Sequence, residues 1–195
     1  MISKLKYIFG SKSKAQEIVL LLNDVKPVVR QGFYENELVR VERFCKENNL
    51  FFVTSKFKVL LADSGDYSNK GIRIKGDDKR SGMRFAYISK DEQQTWLAAY
   101  HELMRNDREL GLVLGYPMCC ISFFCKNFSS KNTNPELKSE NPYTNLSQRG
   151  KDLVLISHFP CRNDCEMSME LAKNYLDVIT KVDSVRAREL MEGLK

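Results

Sequence analysis

Four of the six cysteines in this chain fall into two short segments, and their side chains could bind a metal. Cys119 and Cys120 are adjacent, and Cys161 and Cys165 follow about forty residues later. Thiolate is both a metal ligand and a nucleophile, and three or four thiolates in one place can hold zinc or an iron–sulfur cluster. The sequence therefore predicts a metal or cluster site at these four cysteines, with His158 as a further candidate ligand.

Each of the two segments is predicted to open a helix. Proline is favoured at the first position of a helix, so Pro117 indicates a helix that runs through Phe124 with two thiols in its first turn. Asn163 and Asp164 are typical capping residues, and they precede a helix that is predicted to begin at Cys165. Backbone N–H groups and the positive end of the helix dipole favour thiolate over thiol. The expected site is therefore a group of anionic sulfurs at two helix N-termini.

The spacing of the cysteines bears on which metal would bind. The sequence lacks the Cys-x-x-Cys turn that is typical of zinc knuckles. Adjacent cysteines strain the chelation of one ion but can bind different irons of a cluster, so an iron–sulfur cluster is the first cofactor hypothesis and zinc is the alternative. If only three thiolates bind, the open iron could take a substrate.

Other interpretations of the cysteines need no metal. The thiols could be redox-active or nucleophilic, or they could be disulfide-bonded or buried in the core. Cys45 and Cys125 in particular are predicted to be core residues. Around the cluster, Tyr116, Arg162 and Asp164 are expected to position a substrate or to tune the metal through hydrogen bonds.

The sequence patterns of the helices and strands that must position these residues predict an α+β fold. It has N-terminal helices, a small central antiparallel sheet and a helical C-terminal half that carries the cysteine cluster. Helical periodicity covers residues 13–24, about 35–48, about 89–110, about 166–181 and a charged tail over 183–195 that is expected to be a solvated face. Runs of β-branched and aromatic residues predict strands at 50–54, 57–62, 71–75 and 84–89, and a buried strand at 153–159.

The helix that precedes the first cysteine segment has recognisable ends. Ser89 and Glu92 have the spacing of a capping box, which predicts the helix start, and Gly111 is the expected terminator. Trp96 and Tyr100 belong to its predicted apolar face.

One domain over residues 1–195 is expected from the length. Residues 1–110 form its helical and sheet part, 111–182 the cysteine part and 183–195 the tail helix. The stretch 127–150 is poor in apolar residues and rich in Asn and Ser, so it is predicted to be a long exposed loop. A lid or binding loop and a plain surface insertion are the two interpretations of this loop.

A longer motif surrounds the cysteines. It consists of Leu-Gly-Tyr-Pro-x-Cys-Cys followed by two aromatic residues, and then His-x-Pro-Cys-x-x-x-Cys at the start of a Leu-Ala-rich helix. Its residues here are Leu114, Gly115, Tyr116, Pro117, Cys119, Cys120, Phe123, Phe124, His158, Pro160, Cys161, Cys165, Leu171 and Ala172. With this motif, about a third of the chain resembles an uncharacterised, largely archaeal domain-of-unknown-function family. The resemblance implies that the cysteines matter and implies no particular reaction.

Composition and charge limit the classes of function. The chain is 43% hydrophobic and 29% charged, which is typical of globular proteins and excludes collagen-like and globally disordered classes. Its net charge of +6 permits nucleic-acid binding without requiring it. No apolar run approaches the roughly 20 residues of a membrane span, and no continuous secretory core follows the first lysines, so a cytoplasmic protein is expected.

Three functional hypotheses follow, and whether the protein is an enzyme stays open in each. The first is a cytoplasmic protein with a Cys-ligated iron–sulfur or metal site in redox or sulfur chemistry. The second is an RNA-binding or RNA-processing accessory protein with a structural zinc site, and its candidate surface is Tyr67, Lys70, Arg73, Lys75, Lys79, Arg80, Arg84, Phe85 and Tyr87. The third is a non-catalytic interaction module. Phosphate-loop, nucleophile-elbow and zincin motifs are missing, which disfavours nucleotide binding and the common hydrolase mechanisms.

Overall fold

The computed structural model describes residues 1–61, 71–129, 131–133, 135 and 141–193. The fold is α+β, as predicted, with N-terminal helices, small antiparallel sheets and a helical C-terminal half that carries the cysteines. Contacts group the chain into a cysteine unit, Met1–Val25 with Tyr116–Lys195, and a sheet unit, Lys26–Gly115. The grouping of the whole chain as one domain stays a prediction.

In the described part of the chain, the strands and one helix stand in sequence between two N-terminal helices and the helices of the C-terminal half. In chain order the elements are α1 (Ile2–Phe9), α2 (Lys12–Leu22), β1 (Val28–Phe33), α3 (Glu35–Glu47), β2 (Phe51–Thr54), β3 (Phe57–Leu61), β4 (Gly71–Lys75), β5 (Arg84–Ser89), α4 (Glu92–Leu103), α5 (Asp107–Val113), α6 (Met118–Asn127), the 3-10 helix Arg149–Lys151, α7 (Glu166–Val182) and α8 (Ser184–Gly193). Among the described residues, none of these helices has both the length and the apolar character needed to cross a bilayer.

The sheet unit contains two antiparallel sheets. One has the order β1-β5-β2, with Val28 opposite Ser89 and Phe51 also opposite Ser89, and the other is the pair β3-β4. The four predicted strands of this unit are confirmed, although β1 was not predicted. The end of the predicted strand 57–62, Ala62, lies outside the described residues.

Glu102 on α4 is the charged centre of the sheet unit. Its carboxylate oxygens each accept a hydrogen bond of 2.5 Å from Arg30 on β1, and Oε2 also accepts one of 2.8 Å from the Tyr87 hydroxyl. Arg73 Nη1 donates to the Glu102 backbone oxygen at 3.1 Å. The Arg30 guanidinium also lies 3.7 Å from the centroid of the Phe85 ring. These contacts join α4 to strands from both sheets.

The predicted capping box at the start of α4 is wrong. Asp91 is the N-cap, and its side chain accepts a hydrogen bond from the Gln94 backbone. The Ser89 hydroxyl instead accepts from the Asp91 backbone and donates to the Pro27 carbonyl, because Ser89 is still part of β5. The sequence could not distinguish the two acceptors, since both Ser and Asp are good caps.

The predicted single helix over 89–110 is two helices. It breaks after Leu103, where Arg105 has a φ of 57°, and Gly111 lies inside α5 rather than at its end. The predicted apolar face of α4 is exposed, with Trp96 53% and Tyr100 55% accessible. This exposed row bears on the third hypothesis, that of an interaction module.

The predicted strand 153–159 is wrong, although its side chains are buried as expected. The segment has no strand pairing among the described residues, yet Val154 and Ile156 pack in the core of the cysteine unit. Side chains, rather than a neighbouring strand, donate hydrogen bonds to backbone carbonyls here. Gln16 Nε2 donates to the Val154 carbonyl at 3.1 Å, and Arg186 donates to the Asp152 carbonyl just before the segment. Buried carbonyls need such partners whatever the secondary structure.

The tail helix does not form the solvated face that its charge predicted. In α8, Leu190 is fully buried and Arg186 is 2% exposed, because the guanidinium donates to Gln16 Oε1 at 3.2 and 3.3 Å. The stretch 127–150 also differs from an exposed loop where it is described, since Thr144 and Leu146 are buried. Residues 130, 134 and 136–140 of that stretch, and 194–195 of the tail, lie outside the described residues.

Candidate metal centre

The first cysteine segment opens α6, as predicted. The helix begins at Met118 with Pro117 as its N-cap, and the Cys120 N–H donates to the Pro117 carbonyl at 2.9 Å. Cys119 and Cys120 therefore lie in the first turn. Pro117 stands one position earlier than predicted, and the helix continues beyond Phe124.

The second segment leads into α7, but its cap differs from the prediction. Cys165 itself is the N-cap, and its N–H donates to the Arg162 carbonyl at 3.2 Å. The Asn163 carbonyl accepts a hydrogen bond of 2.6 Å from Thr144. The Asp164 side chain forms an exposed ion pair of 3.1 Å with Arg162. The loop before α7 is thus held by its backbone.

The two segments bring four sulfur atoms together. The Sγ atoms of Cys119, Cys120, Cys161 and Cys165 all lie within 4.8 Å of one another. The Sγ separations are 3.8 Å for Cys119–Cys120, 3.7 Å for Cys119–Cys165 and 3.6 Å for Cys120–Cys165. A group of four thiols this close could hold a metal ion.

Cys120 lies at the buried side of this cluster. Its Sγ is 3.2 Å from Ser168 Oγ and accepts a hydrogen bond of 3.4 Å from the Cys161 backbone N–H. Ser168 Oγ is in turn 2.8 Å from His158 Nε2, and Cys120, Ser168 and His158 are all buried. His158 therefore reaches the sulfurs through a serine hydroxyl. The ring of Tyr116 packs on His158 with centroids 5.0 Å apart.

No family model, curated protein or solved structure matches this chain. The resemblance to the largely archaeal family therefore stays a prediction that rests on the cysteine motif.

The cysteines of the cluster differ in how readily they lose their protons. Burial raises the pKa of Cys120 above its ordinary value, and burial with the neighbouring thiols raises the pKa of Cys161 to about 11. Burial also opposes ionisation of Cys165, but hydrogen bonds from the side chain and backbone of Ser168, together with those from Cys120 and Cys161, outweigh it and lower the pKa of Cys165 to about 7. Among these three cysteines, Cys165 at the N-cap of α7 therefore loses its proton most readily.

The cysteines also differ in exposure. Cys119 is exposed and Cys161 is half-buried, whereas Cys120 and Cys165 are buried. Outside the cluster, Cys45 is fully buried in α3, as predicted. Cys125 is exposed on α6, contrary to the prediction of a core residue, because the apolar face of α6 runs through Cys120 and Ile121 instead.

Three of the residues proposed to bind RNA, Tyr87, Arg84 and Arg80, bind other groups of the protein. Tyr87 is fully buried and donates to Glu102, so its ring offers no stacking platform. The Arg84 guanidinium donates to the Ser55 and Gly76 carbonyls, and Arg80 pairs with an aspartate. Tyr67 and Lys70 lie outside the described residues.

Ser168 was not predicted, although it stands three residues after Cys165 and so lies on the same face of α7. Replacing Ser168 by alanine removes the hydroxyl between Cys120 and His158. We expect this change to weaken metal binding about 10- to 100-fold, as changes to groups around metal ligands generally do. Competition with a chromogenic chelator measures the affinity, and Ser122→Ala, at an exposed position of α6, is the matched control. An unchanged affinity in Ser168→Ala would show that the hydroxyl only fills space.

Proposed function

We propose that the protein binds one zinc ion through Cys119, Cys120, Cys161 and Cys165. The observation that carries this proposal is the separation of the sulfurs. Zinc–sulfur bonds of about 2.3 Å in a tetrahedron place the ligand sulfurs about 3.8 Å apart. The three sulfur pairs among Cys119, Cys120 and Cys165, at 3.6, 3.7 and 3.8 Å, fit that edge. The fourth sulfur, that of Cys161, lies within 4.8 Å of each of them, so one ion could bind all four after a small movement of Cys161.

The same distances favour a single ion over the iron–sulfur cluster that the adjacent cysteines suggested. A four-iron cluster binds each cysteine to a different iron, with sulfide ions between the irons. The ligand sulfurs then surround a larger volume than the one that the four Sγ atoms enclose here. A lone iron ion would fit the same tetrahedron, so the identity of the metal is a matter for elemental analysis.

Four thiolates fill the coordination of zinc, which is typical of a structural site. Zinc would fasten the first turn of α6 to the loop before α7, two segments that are 41 residues apart at Cys120 and Cys161. Zinc has no redox chemistry of its own, so redox or sulfur chemistry at this centre would belong to the thiolates. A reducing compartment such as the cytoplasm would keep those thiols available for binding.

The first experiment is elemental analysis and an absorption spectrum of the protein purified without oxygen. We expect about one zinc per chain and a colourless solution, and exchange for cobalt should give the visible bands of a tetrahedral thiolate site. The Cys125→Ser variant, which changes an exposed thiol outside the cluster, should bind the same amount of zinc. Iron with acid-labile sulfide would replace this proposal by a cluster, and a metal-free protein would contradict both.

A further inference from the structure

Cys119 differs from the other sulfurs of the cluster in both access and contacts. It is exposed, and Cys165 Sγ lies 3.7 Å from it. Cys120, by contrast, is buried beside Ser168 and accepts a hydrogen bond from the Cys161 backbone. Burial shields a sulfur from solutes, and a hydrogen bond withdraws electron density from it. The edge of the centre that is most open to solutes is therefore at Cys119.

We propose that Cys119 is the site at which hydrogen peroxide attacks this centre, with Cys165 as the resolving thiolate. This inference rests on the proposed zinc site, because metal binding keeps the four sulfurs ionised and therefore nucleophilic. The centre is then a zinc site that an oxidant opens, and the class of reaction is a two-electron oxidation of two thiolates.

The chemistry balances in two steps. The Cys119 thiolate attacks one oxygen of hydrogen peroxide, so that an S–O bond forms, the O–O bond breaks and hydroxide leaves. The Cys165 thiolate then attacks the sulfenic sulfur of Cys119, so that an S–S bond forms and a second hydroxide leaves. Two thiolates have lost two electrons, and the two peroxide oxygens have gained them. Zinc loses two of its four ligands and is released.

Cys165 is the expected partner because of where it lies. Cys120 Sγ is almost as close to Cys119, at 3.8 Å against 3.7 Å, but a disulfide between neighbours in the chain closes a small strained ring. Cys165 belongs to a different element and meets Cys119 without that restriction. The resulting disulfide would link the first turn of α6 to the N-cap of α7.

The test uses the zinc-loaded protein in a Cys125→Ser background, which removes the exposed thiol outside the cluster. Zinc content is measured first, then zinc release after one equivalent of hydrogen peroxide, and the oxidised cysteines are mapped by mass spectrometry. We expect release of zinc together with a Cys119–Cys165 disulfide. Zinc-loaded protein that forms a different disulfide, or that keeps its zinc, would overturn this inference and leave the zinc site standing. Protein without zinc would overturn both.

A second variant keeps a zinc ligand at position 119 and removes the exposed thiolate that peroxide would attack. Cys119→His keeps a fourth ligand for zinc but removes the exposed thiolate, and we expect peroxide-driven zinc release to slow at least about 10-fold. If this variant binds no zinc, limited alkylation of the unaltered cluster decides the question, because iodoacetamide should modify Cys119 before the other three ligands. Prior modification of Cys161 would contradict the proposal.

Discussion

Replacing Cys161 by serine is expected to weaken zinc binding by more than about 100-fold. The change leaves three thiolates and a hydroxyl, which is a poor zinc ligand, and the loss should exceed the 10- to 100-fold effect of groups outside the ligand set. Cys161 is the best of the four for this test because it is half-buried and precedes α7, so serine costs little in packing. Chelator competition with elemental analysis measures the loss.

The matched control for Cys161→Ser is Cys125→Ser, the same substitution at an exposed thiol that lies outside the cluster. It should keep the full zinc content and affinity. Circular dichroism of both variants shows whether the helices persist when the metal is lost. Retention of one zinc by Cys161→Ser at unchanged affinity would remove Cys161 from the ligand set and contradict the proposed four-thiolate site.

The position of each cysteine pair at a helix start could be predicted because a few local rules act on the same residues. Proline is favoured at helix starts, and a start at Pro117 puts Cys119 and Cys120 in the first turn. The second segment also precedes a strongly periodic helix, α7. The sequence could not give the contact between the two segments, which depends on long-range packing such as that of the Tyr116 ring against the His158 ring.

The elements that were not predicted from the sequence share a physical cause, because none of them has a strong local sequence signal. Strand β1 has β-branched residues only at Val28 and Val29, because Arg30, Gln31 and Gly32 occupy its middle, and it is a strand because it pairs with β5. Helix α1 has only eight residues, and it is held by burial of Ile2 and Phe9. Conversely, residues 153–159 look like a strand because burial alone makes a segment apolar.

The choice between a cluster and a single ion stays a prediction, and local rules alone do not make it. Adjacent cysteines favoured a cluster, since two neighbouring thiols bind one ion awkwardly in an extended chain. In α6 the helix turn instead places the Cys119 and Cys120 sulfurs 3.8 Å apart, close to the edge of a tetrahedron around one ion. The preference for zinc therefore depends on the helix geometry, which the spacing by itself does not contain.

Replacing Glu102 by alanine is expected to lower the free energy of unfolding by about 3–5 kcal/mol, the range for breaking a buried ion pair. Glu102 is 6% exposed and receives hydrogen bonds from Arg30 and Tyr87. Its loss leaves the Arg30 guanidinium without this counter-charge and leaves the buried Tyr87 hydroxyl without this acceptor. Urea unfolding measures the change, and Glu92→Ala, an exposed position on the same helix, should cost less than about 1 kcal/mol.

Comparing the stability of Glu102→Gln with that of the unaltered protein at several pH values separates the effect of the Glu102 charge from the effect of its packing. Burial opposes ionisation of Glu102, but Arg30, Tyr87 and Arg73 outweigh it, so the pKa of this carboxyl lies below its ordinary value. A lowered pKa in the folded state contributes stability above the unfolded-state value of about 4.3 and loses it as the pH falls through the folded-state pKa. The difference in unfolding free energy between the unaltered protein and Glu102→Gln should therefore be full at neutral pH and shrink as the pH falls below about 4. A difference that stays constant across this range would mean that shape, rather than charge, makes Glu102 important.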